Sequence, residues 1–318
     1  MIILQEANMC IIVAKYFKEH GWVLAKNRDQ NYVSKVSFND ELNKNVGEIL
    51  LLFDHDTGYR EGINHNDMAI ATTSLTPDLK DETDREDGDL IEKALKLKSP
   101  EEAAKFLTSK KLTGYIFIAS SEKLILIEAA ASRHDKEKKE YKSTMRVIPK
   151  TETVVRTNHG IEFAWAGFQY GQSEKEDMWR KSSETRKKLA EKAVKNAKDP
   201  KAMLEAMAQK MDDNLQMNLF RVELKPRQMR TIFQWTLIPR SSMVILRPIQ
   251  AIMKIKVSKE KIRLEVLDNQ IIKKIYDGSI KHFCKIAISS DEKEIRTIQT
   301  EQFLSFYDHA KNGGSDWN

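Results

Sequence analysis

Apolar, β-branched segments occur in pairs along this chain, and a short polar turn joins the members of each pair. Such pairs are typical of antiparallel hairpins, whereas parallel strands need a long crossover connection. Helical periodicity is concentrated in one long segment, residues 174–213, which Asp199-Pro200 divides in two. Strand pairs on both sides of a helical segment favour an α+β layered fold with mainly antiparallel sheets over a doubly wound parallel sheet.

The individual elements follow from the same patterns. Ser99 is predicted to cap a helix, with Pro100 at the first helical position and Glu102 at the third. Residues 76–88 are predicted as an exposed loop, and residues 56–59 and 62–67 as turns. The predicted strands are 10–17, 22–25, 48–54, 68–73, 114–119, 123–128, 145–148, 153–156, 231–238, 243–246, 253–257 and 261–267, and further helices are predicted at 89–98 and 291–310.

The composition narrows the class of protein. The 318 residues suffice for one large domain, or for a domain with an appendage. The net charge of +6 is a mild excess of basic residues, and the densest charged runs interleave Lys with Glu. Mixed charges at helical spacing are typical of a solvated surface, so no specific nucleic-acid partner is predicted. No apolar run is long enough to span a membrane, and residues 1–9 do not resemble a secretory signal. A reducing, cytoplasmic location is therefore expected, and a homo-oligomer is compatible with these properties.

The sequence contains no motif for binding a metal ion or a nucleotide cofactor. The seven histidines are scattered, and no His-x-x-x-His or Cys-x-x-Cys pair occurs, so no metal site is expected. No glycine-rich phosphate-binding pattern is present, so no nucleotide cofactor is expected either.

Cys10 stands at the start of the first predicted hairpin. If the mature chain begins there, one residue supplies both a thiol nucleophile and a free α-amino group that can carry the proton. Taken alone, a plain buried strand cysteine is the better interpretation. Cys284, the other cysteine, is predicted to be a half-buried structural residue.

Five segments carry a resemblance to a known family. They are Met9-Cys10-Ile11-Ile12-Val13 with Lys26-Asn27-Arg28-Asp29, Glu61 to Ile70, Val155-Arg156-Thr157-Asn158-His159, Ser182-Ser183-Glu184-Thr185-Arg186 and Thr231-Ile232-Phe233. In this order they resemble the choloylglycine hydrolase and isopenicillin N acyltransferase group of N-terminal-nucleophile (Ntn) hydrolases. The resemblance implies a four-layer αββα sandwich of two mainly antiparallel sheets and cleavage of a linear, non-peptide amide bond.

The resemblance also implies roles for individual residues. Cys10 is the implied nucleophile, Asp29 holds its amino group or the residue itself, Asn158 donates to the oxyanion, and Arg186 pairs within the site from a helix start. Site-lining positions are implied for Lys26, which stands where the bile-salt hydrolases have Arg, for Arg28, which could substitute for that Arg, and for Asn64. His65 and Asp67 depart from the family pattern in a turn.

Ordinary structural roles stay open for the same residues. Asn158 and His159 suit a turn, Asp29 suits a loop cap, and Arg186 suits a solvated helix face. The aromatic residues that follow Asn158 are either an acyl pocket, for which Phe163 and Trp165 are the candidates, or simply core. That cluster contains Phe163, Trp165, Phe168, Tyr170 and Trp179.

The predicted organisation has three parts. Residues 1–9 are a propeptide or an untranslated leader, residues 10–250 form the Ntn core, and residues 251–318 complete that core or are appended to it. The thiol is exposed either by self-cleavage before Cys10 or by removal of an initiating Met9. Three functions remain: an amidohydrolase acting on a small-molecule amide, an acyltransferase with the same acyl-enzyme, and an inert binding or structural protein.

Overall fold

A computed structural model describes residues 9–30, 35–38, 49–54, 57–75, 83–131, 140–209, 214, 217–221, 230–241, 243–247, 252–257, 261–268, 271–279 and 287–289. The helices are α1 (Thr83–Leu95), α2 (Pro100–Ser109), α3 (Glu174–Val194) and α4 (Pro200–Ala206). The strands are β1 (Ile11–Phe17), β2 (Gly21–Gln30), β3 (Lys35–Phe38), β4 (Ile49–Asp54), β5 (Arg60–Asn64), β6 (Ala69–Thr73), β7 (Gly114–Ala119), β8 (Leu124–Ala130), β9 (Lys142–Ile148), β10 (Val154–Arg156), β11 (Arg230–Ile238), β12 (Met243–Arg247), β13 (Ile252–Val257), β14 (Lys261–Asp268), β15 (Ile271–Ser279) and β16 (Ala287–Ser289).

These strands form two antiparallel sheets that face each other. The first sheet has the order β10-β1-β2-β11-β12-β13-β14-β15, and the second has the order β16-β3-β4-β5-β6-β7-β8-β9. The sheets meet where β1 and β2 approach β6 and β7. Helices α3 and α4 pack on the outer face of the first sheet, and α1 and α2 pack on the second. The predicted four-layer αββα arrangement is confirmed.

Each sheet has its own apolar core beneath its helices. Ile11 and Val13 of β1 pack with Met203 and Leu204 of α4. In the second sheet, the alternate residues Ile116 and Ile118 of β7 pack with Ala103, Ala104 and Leu107 of α2. Because side chains alternate along a strand, the residues between these point to the space between the sheets.

Local signals place several element boundaries correctly. The Ser99 hydroxyl accepts a hydrogen bond from the Glu102 amide at 3.2 Å, as the capping pattern predicts. Asp199 caps α4 in the same way, so the predicted division of the long helical segment is confirmed. The hairpin of β13 and β14 is also confirmed. Within the described ranges, no helix is both long and apolar enough to cross a membrane.

Two segments predicted to be irregular are regular. The loop predicted over residues 76–88 is wrong from Thr83 onwards, where α1 begins. Gly88 suggested a turn, but it lies inside the helix, where the close approach of the Gly58 carbonyl leaves no room for a Cβ. The turn predicted over residues 62–67 is wrong for its first part, which belongs to β5. The charged residues of β5 are tolerated in a buried strand because they form ion pairs, Arg60 with Glu92 and Glu61 with Lys26.

The predicted helix start at Ser182 is also wrong. Helix α3 begins after Ser173, whose hydroxyl accepts from the Glu176 amide, so Ser182 and Arg186 lie in the middle of the helix. Besides β5, the sequence analysis missed β3, β15 and β16. Strands β13 to β15 continue the first sheet directly from β12. The helix predicted at 291–310 and Cys284 lie outside the described residues.

Candidate active site

The β1–β2 hairpin organises the candidate site through its two faces. Ile12 pairs with Lys26 and Ile11 pairs with Asn27, and paired residues point to the same side of the sheet. The amide of Met9 donates to the carbonyl of Asp29 at 3.3 Å, which continues the pairing beyond β1. Met9 and Asp29 therefore share the face that α3 covers, whereas Cys10 is expected on the face toward the second sheet, with Lys26 and Arg28.

Cys10 is a buried residue with one diagnostic contact. Its backbone nitrogen donates a hydrogen bond to Asn158 Oδ1 at 2.9 Å, across 148 positions of sequence. Cys10 is 6% exposed and carries a free thiol. The nitrogen is a peptide group here because Met9 precedes it, and cleavage of that bond would turn the same atom into an amine in contact with Asn158.

Asn158 is held by partners from three directions. Its Nδ2 donates to Thr73 Oγ1 at 3.1 Å and to the carbonyl of Ser74 at 2.8 Å. Its backbone amide donates to Ser183 Oγ of α3 at 3.0 Å. An asparagine amide has two N–H donors, so both are engaged in this state. Donation to a substrate oxyanion therefore requires one of these bonds to be exchanged.

On the helix-side face, Asp29 is the centre of a buried charge cluster. Its carboxylate forms an ion pair with Arg186, and Arg221 Nη1 lies 3.6 Å from the same oxygen. The other oxygen accepts from Thr231 Oγ1 at 2.6 Å. All three charged side chains are fully buried, so the cluster is screened only weakly by solvent.

The two arginines are further fixed by the elements around them. Arg186 Nε donates to the carbonyl of Asn218 at 3.1 Å, and Arg221 Nη2 donates to Ser182 Oγ at 2.7 Å. Burial and the neighbouring Arg186 lower the pKa of Arg221 to about 9, while Asp29 acts in the opposite direction. Arg221 thus stays a cation at neutral pH. The cluster links α3 to β2 and fixes the position of the chain beside Cys10.

The inter-sheet face carries a different pair of cations. The Lys26 ammonium forms an ion pair with Glu61 of β5, contacts the Tyr59 hydroxyl, and donates to the carbonyl of Thr72 at 2.6 Å. Arg28 pairs with Asp54, and its guanidinium lies 4.0 Å from the centre of the Tyr59 ring. The predicted cations therefore lie on the expected side of the hairpin, and each is paired with a carboxylate of the second sheet.

Glu61 is a titratable group in this polar layer. Burial raises its pKa above the usual value, although Lys26 and the amide of Thr72 favour the charged form. One carboxylate oxygen accepts from that amide at 3.0 Å. Among the described residues, the second oxygen has no hydrogen-bond partner. Glu61 therefore takes up a proton at a higher pH than an exposed carboxylate does.

His159 follows Asn158 and is buried behind it. Its Nδ1 lies 2.8 Å from Ser183 Oγ and 3.0 Å from Thr157 Oγ1. Burial, reinforced by Arg180, lowers its pKa to about 4. The neutral ring at pH 7 therefore supports the turn that presents Asn158.

The remaining predicted residues occupy distinct places. Asn64 holds the β5–β6 turn, because its Oδ1 accepts from the amide of Met68 at 2.9 Å and its Nδ2 donates to the carbonyl of Leu95 at 2.8 Å. Phe163 and Trp165 pair with ring centroids 5.8 Å apart in the loop after Asn158, where Trp165 is 40% exposed. Their predicted role in lining the site stays a prediction.

The sequence analysis gave no role to Arg221, Glu61 or Ser183. Glu61 lay within a recognised segment but carried no signal of its own, and Arg221 stands in a stretch without a motif. Both became visible only through the partners that the fold supplies. Within the described part of the chain, no group of His, Cys, Asp and Glu side chains could hold a metal ion.

Comparison with known proteins gives structural similarity without sequence similarity. No family model matches the chain, and no curated protein matches it. Among solved structures, it is similar to penicillin V acylase from Agrobacterium tumefaciens at 12% identity and a TM-score of 0.47, over 83% of this chain and 97% of that one. It is similar to an ortholog of N-acylethanolamine-hydrolyzing acid amidase from Caenorhabditis elegans at 14% identity and a TM-score of 0.44, over 72% and 93%. It is similar to a conjugated bile acid hydrolase from Clostridium perfringens at 14% identity and a TM-score of 0.43, over 83% of this chain and 96% of that one.

Proposed function

We propose that this chain, once Cys10 is its first residue, hydrolyses a linear, non-peptide amide bond of a small molecule through an acyl-enzyme on the Cys10 thiol. The observation that carries the proposal is the hydrogen bond from the Cys10 nitrogen to Asn158 Oδ1 at 2.9 Å. It brings the two residues with the most specific implied roles into contact. Asp29 on the neighbouring strand β2 pairs with Arg186 on α3, and both support the proposal as positioning residues.

The chemistry follows from the groups present. The Cys10 sulfur attacks the amide carbonyl, and the thiol proton passes to the free α-amino group. The protonated amine then donates to the departing nitrogen as the C–N bond breaks, which leaves a thioester on Cys10. Water adds to the thioester carbonyl, the C–S bond breaks, and the carboxylic acid leaves as the thiol regains its proton. Asn158 Nδ2 stabilises the oxyanion in both steps.

Exposure of the amine can use the same chemistry. Attack of the Cys10 sulfur on the carbonyl of Met9 breaks the Met9–Cys10 bond, and the thiol proton goes to the nitrogen that becomes the amine. Water then releases residues 1–9 from the thioester. An aminopeptidase acting on an initiating Met9 gives the same mature terminus, and intact-mass measurement of the purified protein distinguishes the two products from an uncleaved chain.

The test uses two matched cysteine variants. Cys10→Ala is expected to abolish both hydrolysis of a panel of acyl 4-nitroanilides and rapid labelling by iodoacetamide, whereas Cys284→Ala is expected to keep both. Equal and slow labelling of the two cysteines, without hydrolysis, would show an inert protein. Full activity in a species that retains residues 1–9 would contradict the amine mechanism. Preferential capture of the acyl group by an added primary amine would change the assignment to acyl transfer.

A further inference from the structure

Met9, the residue before the candidate nucleophile, is buried in a pocket of its own. Its side chain is 1% exposed and packs against Phe168, which is fully buried, and Trp179 of α3. The two aromatic rings lie with centroids 5.3 Å apart. Arg221 Nη1 lies 3.8 Å from the Met9 sulfur and closes the cluster. We call the site formed by Phe168, Trp179 and Arg221 the Met9 pocket.

The backbone of Met9 is held as firmly as its side chain. Its amide donates to the carbonyl of Asp29, so Met9 continues the pairing of β1 with β2. This pairing directs the Met9 side chain toward α3, on the face that also holds Asp29, Arg186 and Arg221. The position of Met9 is therefore set by the sheet and is not an accident of a free chain end.

Chemistry connects this pocket to the substrate. Met9 supplies the carbonyl that is joined to the Cys10 nitrogen, and this is the carbonyl that self-cleavage would attack. The same thiol later attacks the carbonyl of the substrate, and Asn158, which contacts the Cys10 nitrogen, is the oxyanion donor proposed for both reactions. The group attached to the attacked carbonyl must therefore lie in a similar direction in both. Departure of Met9 leaves its pocket, on the helix-side face of the strand that begins after Cys10, without an occupant.

We infer that the Met9 pocket receives the acyl chain of the substrate, and that it selects an unbranched, medium-length acyl group. The inference rests on the proposed function, because it requires Cys10 to be the nucleophile. Hexanoyl has as many heavy atoms as the methionyl chain from its carbonyl to its terminal methyl, so it matches the space that Met9 fills. The aromatic walls favour an apolar chain, and the Arg221 cation disfavours a positively charged one.

The test is a chain-length profile of the processed enzyme. Straight-chain acyl 4-nitroanilides from acetyl to decanoyl are compared by kcat/KM. The expected profile rises roughly fourfold for each added methylene up to about hexanoyl, as expected from burial of a CH₂ group, and falls beyond it. A maximum at acetyl, or a preference for a branched acyl group of equal size, would overturn the inference.

Pocket variants give a second readout that does not depend on absolute activity. Phe168→Ala and Trp179→Ala enlarge the pocket and are expected to raise the decanoyl-to-hexanoyl ratio by about tenfold or more, from the same methylene increment. Phe168→Leu replaces Phe168→Ala if thermal melting shows that the latter is unfolded. Met178→Ala, on the neighbouring, 42% exposed residue of α3, is the control and leaves the ratio unchanged. An unchanged ratio in folded pocket variants would contradict the inference.

The experiments distinguish an error in the acyl-pocket inference from an error in the proposed hydrolase function. Alkyl chloromethyl ketones of matched chain length label a thiol without turnover, and their rates report the pocket alone. Labelling of Cys10 that peaks near the hexanoyl analogue, without any hydrolysis, would contradict the proposed function and support the pocket. Hydrolysis without chain-length dependence in either assay would support the function and contradict the pocket.

Discussion

The two faces of the β1–β2 hairpin bury charge in different ways. On the helix-side face, one carboxylate, Asp29, lies between two arginines, Arg186 and Arg221. On the inter-sheet face, each cation has its own carboxylate, and the principal pair joins Lys26 to Glu61. Both sets are buried, so their differences reflect the groups that the fold has placed around them.

The difference assigns separate tasks to the faces. A planar guanidinium has a fixed fork of donors, so the helix-side cluster is suited to hold β2 and α3 in one geometry. An ammonium is a compact charge, and burial raises the pKa of its partner Glu61, so the inter-sheet face is better suited to a change of protonation. Cys10 lies between them, with its chain held by one face and its thiol directed to the other.

Breaking the helix-side face is expected to have the largest effect. Asp29→Asn keeps the shape of the side chain but removes the charge that Arg186 and Arg221 share. Loss of one partner from a buried ion pair costs about 3–5 kcal/mol, and urea denaturation of the purified protein measures it as a loss of free energy of unfolding. The control is Glu101→Gln in the exposed pair with Lys123, which should change stability by at most about 1 kcal/mol. Equal effects of the two substitutions would contradict a special role for the buried cluster.

In the turn at Asn158, His159 is expected to make the folding stability fall in acid. Its pKa is lowered to about 4 in the folded protein from 6.5, so the unfolded chain binds the proton more tightly. Stability is then fully present above pH 6.5 and falls as the pH decreases toward 4, by about 3 kcal/mol, since one pKa unit corresponds to about 1.4 kcal/mol. Urea denaturation across this range should show the slope in the wild type and not in His159→Gln. Ser183→Ala removes a hydrogen bond to His159 but keeps the imidazole ring, so it should retain the pH slope. A wild-type protein without this slope would refute the assignment to His159.

Changing the inter-sheet face is expected to have the smallest effect, with the opposite pH dependence. The folded pKa of Glu61 is raised, so the folded protein holds the proton more tightly and loses stability as the pH rises above about 4.5. Glu61→Gln has no such proton to lose, and Lys26 keeps the Thr72 carbonyl and the Tyr59 hydroxyl as partners. Its loss of stability at pH 7 should therefore be smaller than that of Asp29→Asn and should shrink as the pH rises. The measurement is the difference in unfolding free energy at a series of pH values. A loss as large as that of Asp29→Asn would show that the faces do not differ.

Local patterns explain how far the fold could be predicted. The Ser99 and Asp199 caps depend on residues within one turn of each other, so their helices were placed correctly. Strand β5 was missed because Arg60 and Glu61 are polar, and only their partners on other elements allow them to be buried. The helical periodicity from residue 174 placed α3 correctly, whereas the resemblance implied a helix start at Ser182 and so misplaced Arg186, because the actual cap is Ser173.

The sequence by itself determined the antiparallel hairpins, because strand periodicity is a local property, and its resemblance to the Ntn hydrolases implied the four-layer arrangement and the ordered set of Cys10, Asp29, Asn158 and Arg186. The tertiary structure alone decided the contacts that make those residues a candidate site. The bond from Cys10 to Asn158 spans 148 positions, and the pair of Asp29 and Arg186 spans 157. The placement of Met9 against Phe168, Trp179 and Arg221 likewise depends on the packing of α3 on the first sheet. Such long-range pairing has no signature in one sequence, since the same residue types at the same positions would be solvated if the chain were folded differently.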